Sequence, residues 1–286
     1  DLPYTDKNFV IPITRSPYRL SNISAIKQLK KIIEEEKYDI IHCHTPMGGV
    51  VARLAARKAR KSGTKVFYTA HGFHFYKGAP LINWLLYYPI EKWLSRYTDV
   101  LITINGEDYK RAQKFKADRV EYIHGIGADG TRFKPSNSED SAQLKKKLGL
   151  DGQSIILCIG ELNDNKNQTA IIKAMQEVVR IAPNTRLLLA GKGPNYDALV
   201  QLRDQLGLQE QVIFLGFVDK IVDYIHISDV VVSASIREGL PINIVETLLC
   251  RKPVVALLNR GHKELVEPGV NGYLVDPFNS SEFCVH

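Results

Sequence analysis

Residues 230–246 read VVVSASIREGLPINIVE, and this stretch decides the fold of the chain. It opens with a short apolar run, which suits a strand buried on both faces of a parallel sheet. Pro241 favours the start of a helix, because proline is well tolerated in a first helical turn. The stretch therefore predicts a strand, a loop and a helix in succession, the unit from which α/β proteins are built.

The same alternation extends outward along the whole chain. Two amphipathic stripes, at 26–33 and 51–55, predict helices, and residues 61–63 (KSG) end the second. Such alternation of strands and helices predicts parallel sheets with helices on both faces. The predicted strands are 39–43, 66–70, 100–104, 120–124, 155–159, 187–190, 212–215, 230–233, 254–257 and 273–275.

The length of the chain predicts two domains, because 286 residues exceed one ordinary core. Residues 132–147 (RFKPSNSEDSAQLKKK) are polar and predict a linker and a surface helix. The predicted boundary lies near residue 136 and gives domains 1–135 and 136–286. Both are predicted to be Rossmann-like, doubly wound domains, which bind ligands beyond the carboxyl ends of their strands. If the two sheets face each other, the site is the cleft between the domains.

The composition, 44% hydrophobic and 24% charged, excludes a disordered or collagen-like chain. The net charge of +7 is uneven, with +11 on residues 1–150 and −4 on residues 151–286. A basic half indicates an anionic partner, such as nucleic acid or a phospholipid surface. The alternative is that its basic cluster is only the solvated face of a helix. That cluster consists of Arg53, Arg57, Lys58, Arg60 and Lys61.

Neither the cysteines nor a histidine pair predicts a metal site. The four cysteines form no CxxC pair, so buried free thiols in a reducing cytoplasm are favoured. His42 and His44 alternate along one predicted strand and so share a face, but no third ligand is evident. Packing and hydrogen bonding are the favoured roles of both rings. The cysteines are Cys43, Cys158, Cys250 and Cys284.

Polar residues follow several predicted strands, where a ligand site is expected. Glu238 and Glu246 can accept hydrogen bonds from two hydroxyl-bearing parts of one ligand, and Lys166 is placed as a phosphate counter-charge. The helix start at Pro241 would present backbone N–H groups to a phosphate. His71 follows a strand of the first half. Taken singly, a surface lysine and a structural histidine are the favoured interpretations of Lys166 and His71, and solvated carboxylates are a serious alternative for Glu238 and Glu246.

A glycine pattern at 190–194 (AGKGP) predicts a tight turn. It is not a dinucleotide fingerprint, because Tyr196 stands where the third glycine would be.

In combination these motifs resemble the retaining glycosyltransferases of family 4, which have the GT-B fold. Glu238 and Glu246 match the E-x7-E element of that family. The stretches 39–59 (DIIHCHTPMGGVVARLAARKA) and 68–80 (YTAHGFHFYKGAP) resemble its bacterial exopolysaccharide and capsule branch. Further matching segments are 40–44 (IIHCH), 70–72 (AHG), 125–133 (GIGADGTRF), 160–166 (GELNDNK), 215–218 (LGFV), Ser233, 253–256 (PVVA) and 271–277 (NGYLVDP).

The resemblance implies a role for each matching residue. Glu238 would hold hydroxyls of the donor sugar, and His71 would reach that sugar from the first domain. Lys166 would neutralise the diphosphate together with backbone N–H groups at the helix start. Glu246 would hold the ribose, and the backbone around Phe217 would read the base. The implied catalytic residues are His71 and Glu238; the implied donor-binding residues are Gly160, Lys166, Phe217, Val218, Gly239, Leu240, Pro241, Ile242 and Glu246.

The chain contains no Asp-x-Asp, so a metal-bound diphosphate is not indicated and no cofactor is expected beyond the sugar nucleotide. Two departures from the family stand out. Glu161 occupies a position where the family usually has arginine, which removes one phosphate counter-charge. The first strand with its glycine-rich loop and the closing helices are also missing. The chain is therefore expected to be a fragment that lacks about one βα unit, ~30 residues or more, at each end.

The resemblance implies transfer of a hexose or N-acetylhexosamine from a UDP-sugar, with retention, to a polyprenyl-diphosphate-linked or other saccharide. It implies a cytoplasmic enzyme, peripheral on the inner face of the cell membrane. The aromatic segment 73–93 fits either a membrane interface or a helix packed on the first sheet.

Alternative functions are a hydrolysing sugar-nucleotide epimerase and a non-catalytic sugar-nucleotide-binding module. Nucleic acid is not an expected partner, because the chain shows no recognised motif for it.

Overall fold

The computed structural model describes residues 5–14, 16, 19–125, 127–136 and 138–276. Cys284 and the matching positions Ile126 and Pro277 lie outside them. The chain divides after Gly125 into two units, each with its own parallel sheet and apolar core. Within the described residues, no helix combines the length and the apolar character that crossing a membrane requires.

The first unit contains a four-stranded parallel sheet with the order β1-β2-β3-β4. Its strands are β1 (Ile40–Cys43), β2 (Lys65–Ala70), β3 (Val100–Thr103) and β4 (Arg119–Tyr122). Its helices are α1 (Ser21–Glu36), α2 (Pro46–Ala55), α3 (Arg57–Lys61), α4 (Leu81–Leu94) and α5 (Gly106–Ala112), with a 3₁₀ turn at Ser95–Tyr97.

The second unit contains a six-stranded parallel sheet with the order β10-β9-β8-β5-β6-β7. Its strands are β5 (Ser154–Ile159), β6 (Thr185–Ala190), β7 (Val212–Gly216), β8 (Val230–Ser233), β9 (Val254–Leu257) and β10 (Gly272–Val275). Its helices are α6 (Ser138–Lys147), α7 (Gln168–Ile181), α8 (Tyr196–Gln205), α9 (Ile221–Ile227) and α10 (Ile242–Leu249), with a 3₁₀ turn at His262–Glu264. The strand order reverses between β5 and β8, and ligands of such sheets bind at this switch point.

The predicted fold class is confirmed. All ten predicted strands are present, with ends within two residues of the predicted ones. They form because runs such as 187–190 and 254–257 are almost wholly buried, so each apolar side chain gains from leaving water.

The division of the chain falls ten residues before the boundary predicted near residue 136. The segment 127–136 packs on the second sheet. Phe133 is buried in the same core cluster as Leu150 and Ile155. Arg132 Nη2 donates to the Asp219 carbonyl oxygen at 2.9 Å. The polar character of this segment hid these contacts from the sequence pattern.

Neither interpretation of the basic cluster applies to Arg53, which is completely buried. Its guanidinium forms a bidentate pair with Glu91, at 2.9 and 3.1 Å, and lies 4.2 Å from the ring centroid of Tyr68. Arg60 pairs with Asp99 and Asp118. Much of the predicted positive surface is therefore used inside the first unit.

The aromatic segment 73–93 is packed on the first sheet in its first part and exposed in part of α4. Phe73 and Phe75 are buried and stack at 4.7 Å, which confirms packing on the first sheet. Trp84 is half-buried against Phe75, so it does not project into solvent as the membrane interpretation requires. Trp93, in contrast, is exposed.

The prediction of buried free thiols is confirmed for Cys43, Cys158 and Cys250. Burial raises the pKa of Cys43 to about 11 and that of Cys158 to about 12. Both thiols are therefore protonated and unreactive at neutral pH.

Candidate active site

Polar residues of the second unit converge where β5 and β8 end. These two strands pair in parallel, so the loops that follow them leave the same edge of the sheet. The loop after β5 carries Lys166, and the loop after β8 carries Glu238. The sequence predicted both residues as ligand contacts but could not show that they touch.

Lys166 and Glu238 form an ion pair. Lys166 Nζ lies 2.6 Å from Glu238 Oε1, and the two side chains are only 23% and 14% exposed. Asn165 joins the two loops, because its Nδ2 donates to the Arg237 carbonyl oxygen at 3.0 Å. The Ile236 amide in turn donates to the Asn165 carbonyl oxygen at 2.8 Å. The pair is therefore held by backbone contacts and not by the two side chains alone.

Glycines allow the loops after β5 and β6 to pack against each other. A Cβ at Gly193 would lie 2.3 Å from the Leu162 carbonyl oxygen, and one at Gly191 would lie 1.9 Å from that of Gly160. Any larger residue would push these backbones apart. The 190–194 pattern is thus more than the tight turn predicted, since it also supports the loop that carries Lys166.

Helix α10 begins beside the ion pair. Its first helical residue is Ile242, and Pro241 is the N-cap, one position before its predicted place in the first turn. The amides of Ile242 and Asn243 have no earlier helical carbonyl to bond, whereas the Ile244 amide donates to the Pro241 carbonyl oxygen at 3.1 Å. Asn243 Nδ2 donates to the Ile159 carbonyl oxygen at 2.9 Å and ties α10 to the end of β5. Gly239 and Leu240 precede the helix in the same loop.

Glu246 lies one turn into α10 and is partly buried. Partial burial raises the pKa of this carboxyl, and the positive charge of Arg132 opposes that shift. The predicted carboxylate is therefore present on the helix, in an environment that disfavours its charge.

Sequence analysis missed a buried histidine behind the Glu238 loop. His262 Nδ1 lies 2.6 Å from the Leu257 carbonyl oxygen, so this nitrogen carries the proton. Its Nε2 lies 3.0 Å from Ser233 Oγ. Burial lowers the pKa of His262, which keeps the ring neutral. The only sequence signal was its position in a loop after a predicted strand.

The neighbouring residues of this loop touch Glu238 directly. A Cβ at Gly261 would lie 2.8 Å from that of Glu238. Arg260 Nε donates to the Glu238 carbonyl oxygen at 3.2 Å. The loop after β9 therefore fixes the backbone that presents the Glu238 carboxylate.

A cavity of about 440 Å³ lies between the loop after β6 and the end of β7. Gly191, Lys192, Tyr196 and Phe214 contribute to its lining. Phe217, one residue beyond β7, is 70% exposed. Its neighbour Val218 packs on the core. A base could stack here, but the assignment of Phe217 and Val218 stays a prediction.

Glu161 has a local structural role. Its Oε2 accepts a hydrogen bond from Asn163 Nδ2 at 3.0 Å, and its carbonyl oxygen accepts one from Gln168 Nε2. These bonds shape the turn that leads to Lys166. They supply no positive charge in place of the arginine that the resemblance implies.

The first unit contains a cluster of imidazoles at the end of β1 and β2. His71 Nε2 lies 3.2 Å from His44 Nδ1, and His42 Nε2 lies 2.8 Å from Thr69 Oγ1. Burial and the neighbouring rings lower the pKa of His42 and of His71. Both rings are therefore neutral at pH 7. The rings of His42 and His44 are 4.1 Å apart, which fits the predicted packing.

The structure brings together Gly160, Lys166, Glu238 and the start of α10, all in the second unit, while His71 belongs to the first. Within the described ranges, no group of three or more His, Cys, Asp or Glu side chains could hold a metal ion.

Comparison with known proteins identifies the family. Residues 140–284 match the family described as group 1 glycosyl transferases, and residues 3–105 match one described as glycosyl transferase 4-like. EpsD of Bacillus subtilis (strain 168), which is named as a glycosyltransferase, is 49% identical over 99% of this chain and 75% of its own length. The chain therefore belongs to the group 1 glycosyltransferases, and the predicted family is confirmed.

More distant similarities agree. The Escherichia coli UDP-Gal:alpha-D-GlcNAc-diphosphoundecaprenol alpha-1,3-galactosyltransferase is 28% identical over 91% of this chain and 70% of its own. The crystal structure of Anabaena HepE with UDP and glucose superposes with a TM-score of 0.78, at 26% identity, over 92% of this chain and 70% of HepE. Sucrose-phosphate synthase from Thermosynechococcus elongatus, at 20% identity, shares the fold with a TM-score of 0.77. The predicted GT-B fold is thereby confirmed.

Proposed function

We propose that this chain is a retaining glycosyltransferase that moves a hexose or N-acetylhexosamine from a UDP-sugar to a saccharide in exopolysaccharide or capsule synthesis. UDP is the proposed nucleotide because HepE, a structural relative, was crystallised with UDP and with UDP-glucose. The proposed acceptor is carried on a polyprenyl diphosphate, as the name of the Escherichia coli relative states for that enzyme.

One observation carries the proposal: the 2.6 Å contact between Lys166 and Glu238 beside the first turn of α10. A diphosphate needs cations and N–H donors, and a sugar needs hydrogen-bond acceptors for its hydroxyls. Lys166 and the α10 amides supply the first set, and Glu238 supplies the second. The switch point between β5 and β8 thus offers both sets to one sugar nucleotide.

The proposed reaction makes modest demands on the protein. The acceptor oxygen bonds to the anomeric carbon on the face from which the diphosphate leaves, and the acceptor proton passes to an oxygen of that leaving group. Lys166 and the α10 amides stabilise the charge that develops on the diphosphate. Catalysis then rests on positioning and charge stabilisation. We propose that a metal ion is not required, because side-chain cations and a helix terminus perform this task.

The remaining donor contacts are proposals of the same kind. Glu246 holds the ribose, and the backbone of Phe217 and Val218 meets the base. Gly160 contributes by letting the Lys166 stem lie against it, since a Cβ there would stand 3.3 Å from Lys166 Cδ. Gly239, Leu240, Pro241 and Ile242 form the phosphate-binding turn.

Binding calorimetry tests the donor site. Lys166→Ala should weaken UDP about 10- to 150-fold, the equivalent of a hydrogen bond to a charged group worth about 1.5–3 kcal/mol. Uridine, which lacks the diphosphate, should lose less than about twofold. Lys173→Ala, an exposed lysine on α7, is the matched control and should change neither ligand. Equal losses for UDP and uridine would contradict the assignment of Lys166.

Chelating divalent metal should leave binding of UDP unchanged, and an absolute metal requirement would overturn the metal-free proposal.

A transfer assay separates the enzyme from the alternatives. With a polyprenyl-diphosphate-linked sugar as acceptor, nuclear magnetic resonance of the product should show the anomeric configuration of the donor. Inversion would contradict the retaining mechanism. Release of free sugar epimerised at C2 would favour the epimerase, and tight UDP-sugar binding without transfer would favour the non-catalytic module.

A cytoplasmic position, peripheral on the inner face of the cell membrane, completes the proposal. It is supported by the lipid-linked acceptor of the Escherichia coli relative and by the +11 charge on residues 1–150.

A further inference from the structure

Helix α4 of the first unit exposes a continuous apolar face. Its outward positions recur at intervals of one, three and four residues, which places them on one side of the helix. Leu81 and Leu85, for example, are 73% and 63% exposed. Between Leu81 and Ile90 the face carries no charged residue, and Lys92 lies at its far end. Its members are Leu81, Ile82, Leu85, Leu86, Pro89, Ile90 and Trp93.

The opposite side of α4 is well packed, so the exposure does not reflect a loosely attached helix. Tyr88 stands edge-on to the buried ring of Phe75 at 5.3 Å, and Leu94 is completely buried. Asn83 Nδ2 donates to the His74 carbonyl oxygen at 3.0 Å. A firmly anchored helix that exposes a row of apolar side chains marks an interaction surface.

Apart from Glu91, the charged residues of the segment 77–98 all have one sign. Glu91 is the single acidic residue between positions 77 and 98, and it is buried in the bidentate pair with Arg53. The remaining charged residues of that range are Lys77, Lys92 and Arg96. The Arg96 guanidinium lies 5.8 Å from the ring centroid of the exposed Trp93. The Arg53–Glu91 pair thus leaves cations as the outward charges of this segment. The acid that reaches it from α5, Glu107, is engaged with the Lys77 amide and with Arg111 Nη1.

We propose that this face of α4 is a docking surface for a bilayer of anionic phospholipid. Apolar side chains flanked by cations and an aromatic ring suit the headgroup and acyl boundary. With 14 residues the helix is about 21 Å long, too short to span a bilayer, so it lies in the plane of the interface. The inference rests on the proposed function in one respect, because it names the surface on which a lipid-linked acceptor is met.

A second copy of the chain fits this face less well. Two α4 faces packed on each other would bring Lys92 and Arg96 of both copies to one interface. No exposed acid on the face could pair with them, since Glu91 is already bound to Arg53. An anionic lipid surface supplies the missing negative charge.

The chain contains two tryptophans, and they report on docking separately. In the Trp84→Phe variant the exposed Trp93 is the sole fluorophore. Its emission should shift to the blue on vesicles that contain phosphatidylglycerol, and brominated acyl chains should quench it. In Trp93→Phe the half-buried Trp84 should show neither effect. Quenching of Trp84 alone, or of neither ring, would overturn the proposal.

Partitioning of the full chain onto vesicles tests the apolar face itself. Leu85→Gln combined with Ile90→Gln should reduce binding to vesicles with 30% phosphatidylglycerol by at least tenfold. Ile181→Gln, an equally exposed apolar residue on α7, is the matched control and should change nothing. Neutral phosphatidylcholine vesicles and salt of about 0.5 M should both weaken binding, because the cations act through a screened field.

Two control measurements distinguish a loss of lipid docking from a defect in the donor site and from dimerisation. UDP affinity, measured on the same variants, should equal that of the wild type, so a failure of lipid docking differs visibly from a failure of the proposed donor site. Sedimentation equilibrium should show one species with and without the α4 substitutions. A dimer that those substitutions dissociate would assign the face to a second copy and overturn the lipid proposal.

Discussion

At the scale of single residues, two anions compete for the Lys166 ammonium: the Glu238 carboxylate and the proposed diphosphate. It contacts Glu238 at 2.6 Å, and the proposed diphosphate would compete with that carboxylate for the same ammonium. Binding of the nucleotide would therefore release Glu238 from its partner at the moment when a donor sugar needs a hydrogen-bond acceptor. In the absence of a nucleotide, the ion pair would keep both the Lys166 ammonium and the Glu238 carboxylate in place.

This competition predicts an unusual result for Glu238→Gln. Removing the carboxylate frees Lys166 and lowers the repulsion of the diphosphate, so UDP itself should bind about two- to fivefold more tightly. That range corresponds to a partly exposed ion pair of up to about 1 kcal/mol. Sugar transfer should nevertheless fall by at least about 100-fold. Titration calorimetry and turnover on one preparation check both, and weaker UDP binding would show that Glu238 does not restrain Lys166.

Glu246→Gln should make the folded protein more stable at neutral pH while weakening its binding of UDP. The pKa of this carboxyl is raised by burial, so the folded protein holds the proton more tightly than the unfolded chain. Stability is then lost as the pH rises through the raised pKa, where the carboxyl ionises. The uncharged glutamine should raise the unfolding temperature at pH 7–8, with a difference that shrinks towards pH 4. UDP affinity should fall about 5- to 10-fold, because glutamine keeps an acceptor oxygen but exchanges a charge-assisted hydrogen bond for a neutral one.

The matched control for that experiment is Glu210→Gln, since Glu210 is an exposed residue before β7. It should alter neither quantity. A Glu246→Gln protein that is less stable at pH 7 would contradict the pKa argument, and one with unchanged UDP affinity would contradict the ribose assignment.

Sequence placed the candidate site residues at strand ends but did not predict their contacts. Lys166 and Glu238 each follow an apolar run, which marked them as loop residues at a strand end. Their 72-residue separation gave no sign of the ion pair, which depends on β5 pairing with β8. His262 escaped because a buried histidine is defined by its partners, Ser233 and the Leu257 carbonyl, and neither is near it in a recognisable pattern.

At the scale of elements, the Arg53–Glu91 pair joins α2 to α4. Both ends are buried, and Arg53 Nε also donates to the Gly49 carbonyl oxygen at 2.8 Å. The pair settles which side of α4 faces the core and which side is left outward. Periodicity alone could not show this, because α4 is apolar on both sides and because Arg53 looked like a solvated base on the helix that carries it.

Breaking this pair should be costly. Arg53→Ala would leave the Glu91 carboxylate buried without its partner and should lower the free energy of unfolding by about 3–5 kcal/mol. Replacing both residues, as Arg53→Met with Glu91→Leu, should be close to neutral because no charge is then left unpaired. Urea denaturation of both variants measures the difference. A loss below about 1 kcal/mol for Arg53→Ala would show that the pair is dispensable.

Strands were the most predictable elements. A strand such as β8 is buried on both faces, so its composition alone identifies it. Helix starts were less certain, as the one-residue displacement at Pro241 shows. The segment 127–136 was assigned to the wrong side of the division because its anchoring residue, Phe133, is a single aromatic in a polar context.

At the scale of the whole molecule, the two units differ in what they offer to partners. The second carries the ion pair, the α10 turn and the cavity beside Lys192, all suited to a nucleotide. The first carries the imidazole cluster and the apolar face of α4. Residues 1–125 carry a net charge of +9, whereas residues 126–286 carry −2. The proposed nucleotide contacts and the proposed lipid contacts thus lie in different units.

Hydrogen exchange can test this division of tasks with one ligand. UDP binds only the folded second unit in the proposed scheme, so it should stabilise that unit by about 2.7 kcal/mol at 100 times its dissociation constant. Amides of 160–166, 191–193, 216–218 and 239–246 should exchange more slowly. Core amides of β2 and β3 in the first unit should exchange at unchanged rates, because their opening does not release the ligand. The resemblance assigns the sugar, not the nucleotide, to His71, so slower exchange at 71–75 is expected only with a UDP-sugar. Uniform protection of both sheets by UDP alone would mean that the two units unfold as one. Protection confined to the first unit would contradict the proposal that the nucleotide binds the second.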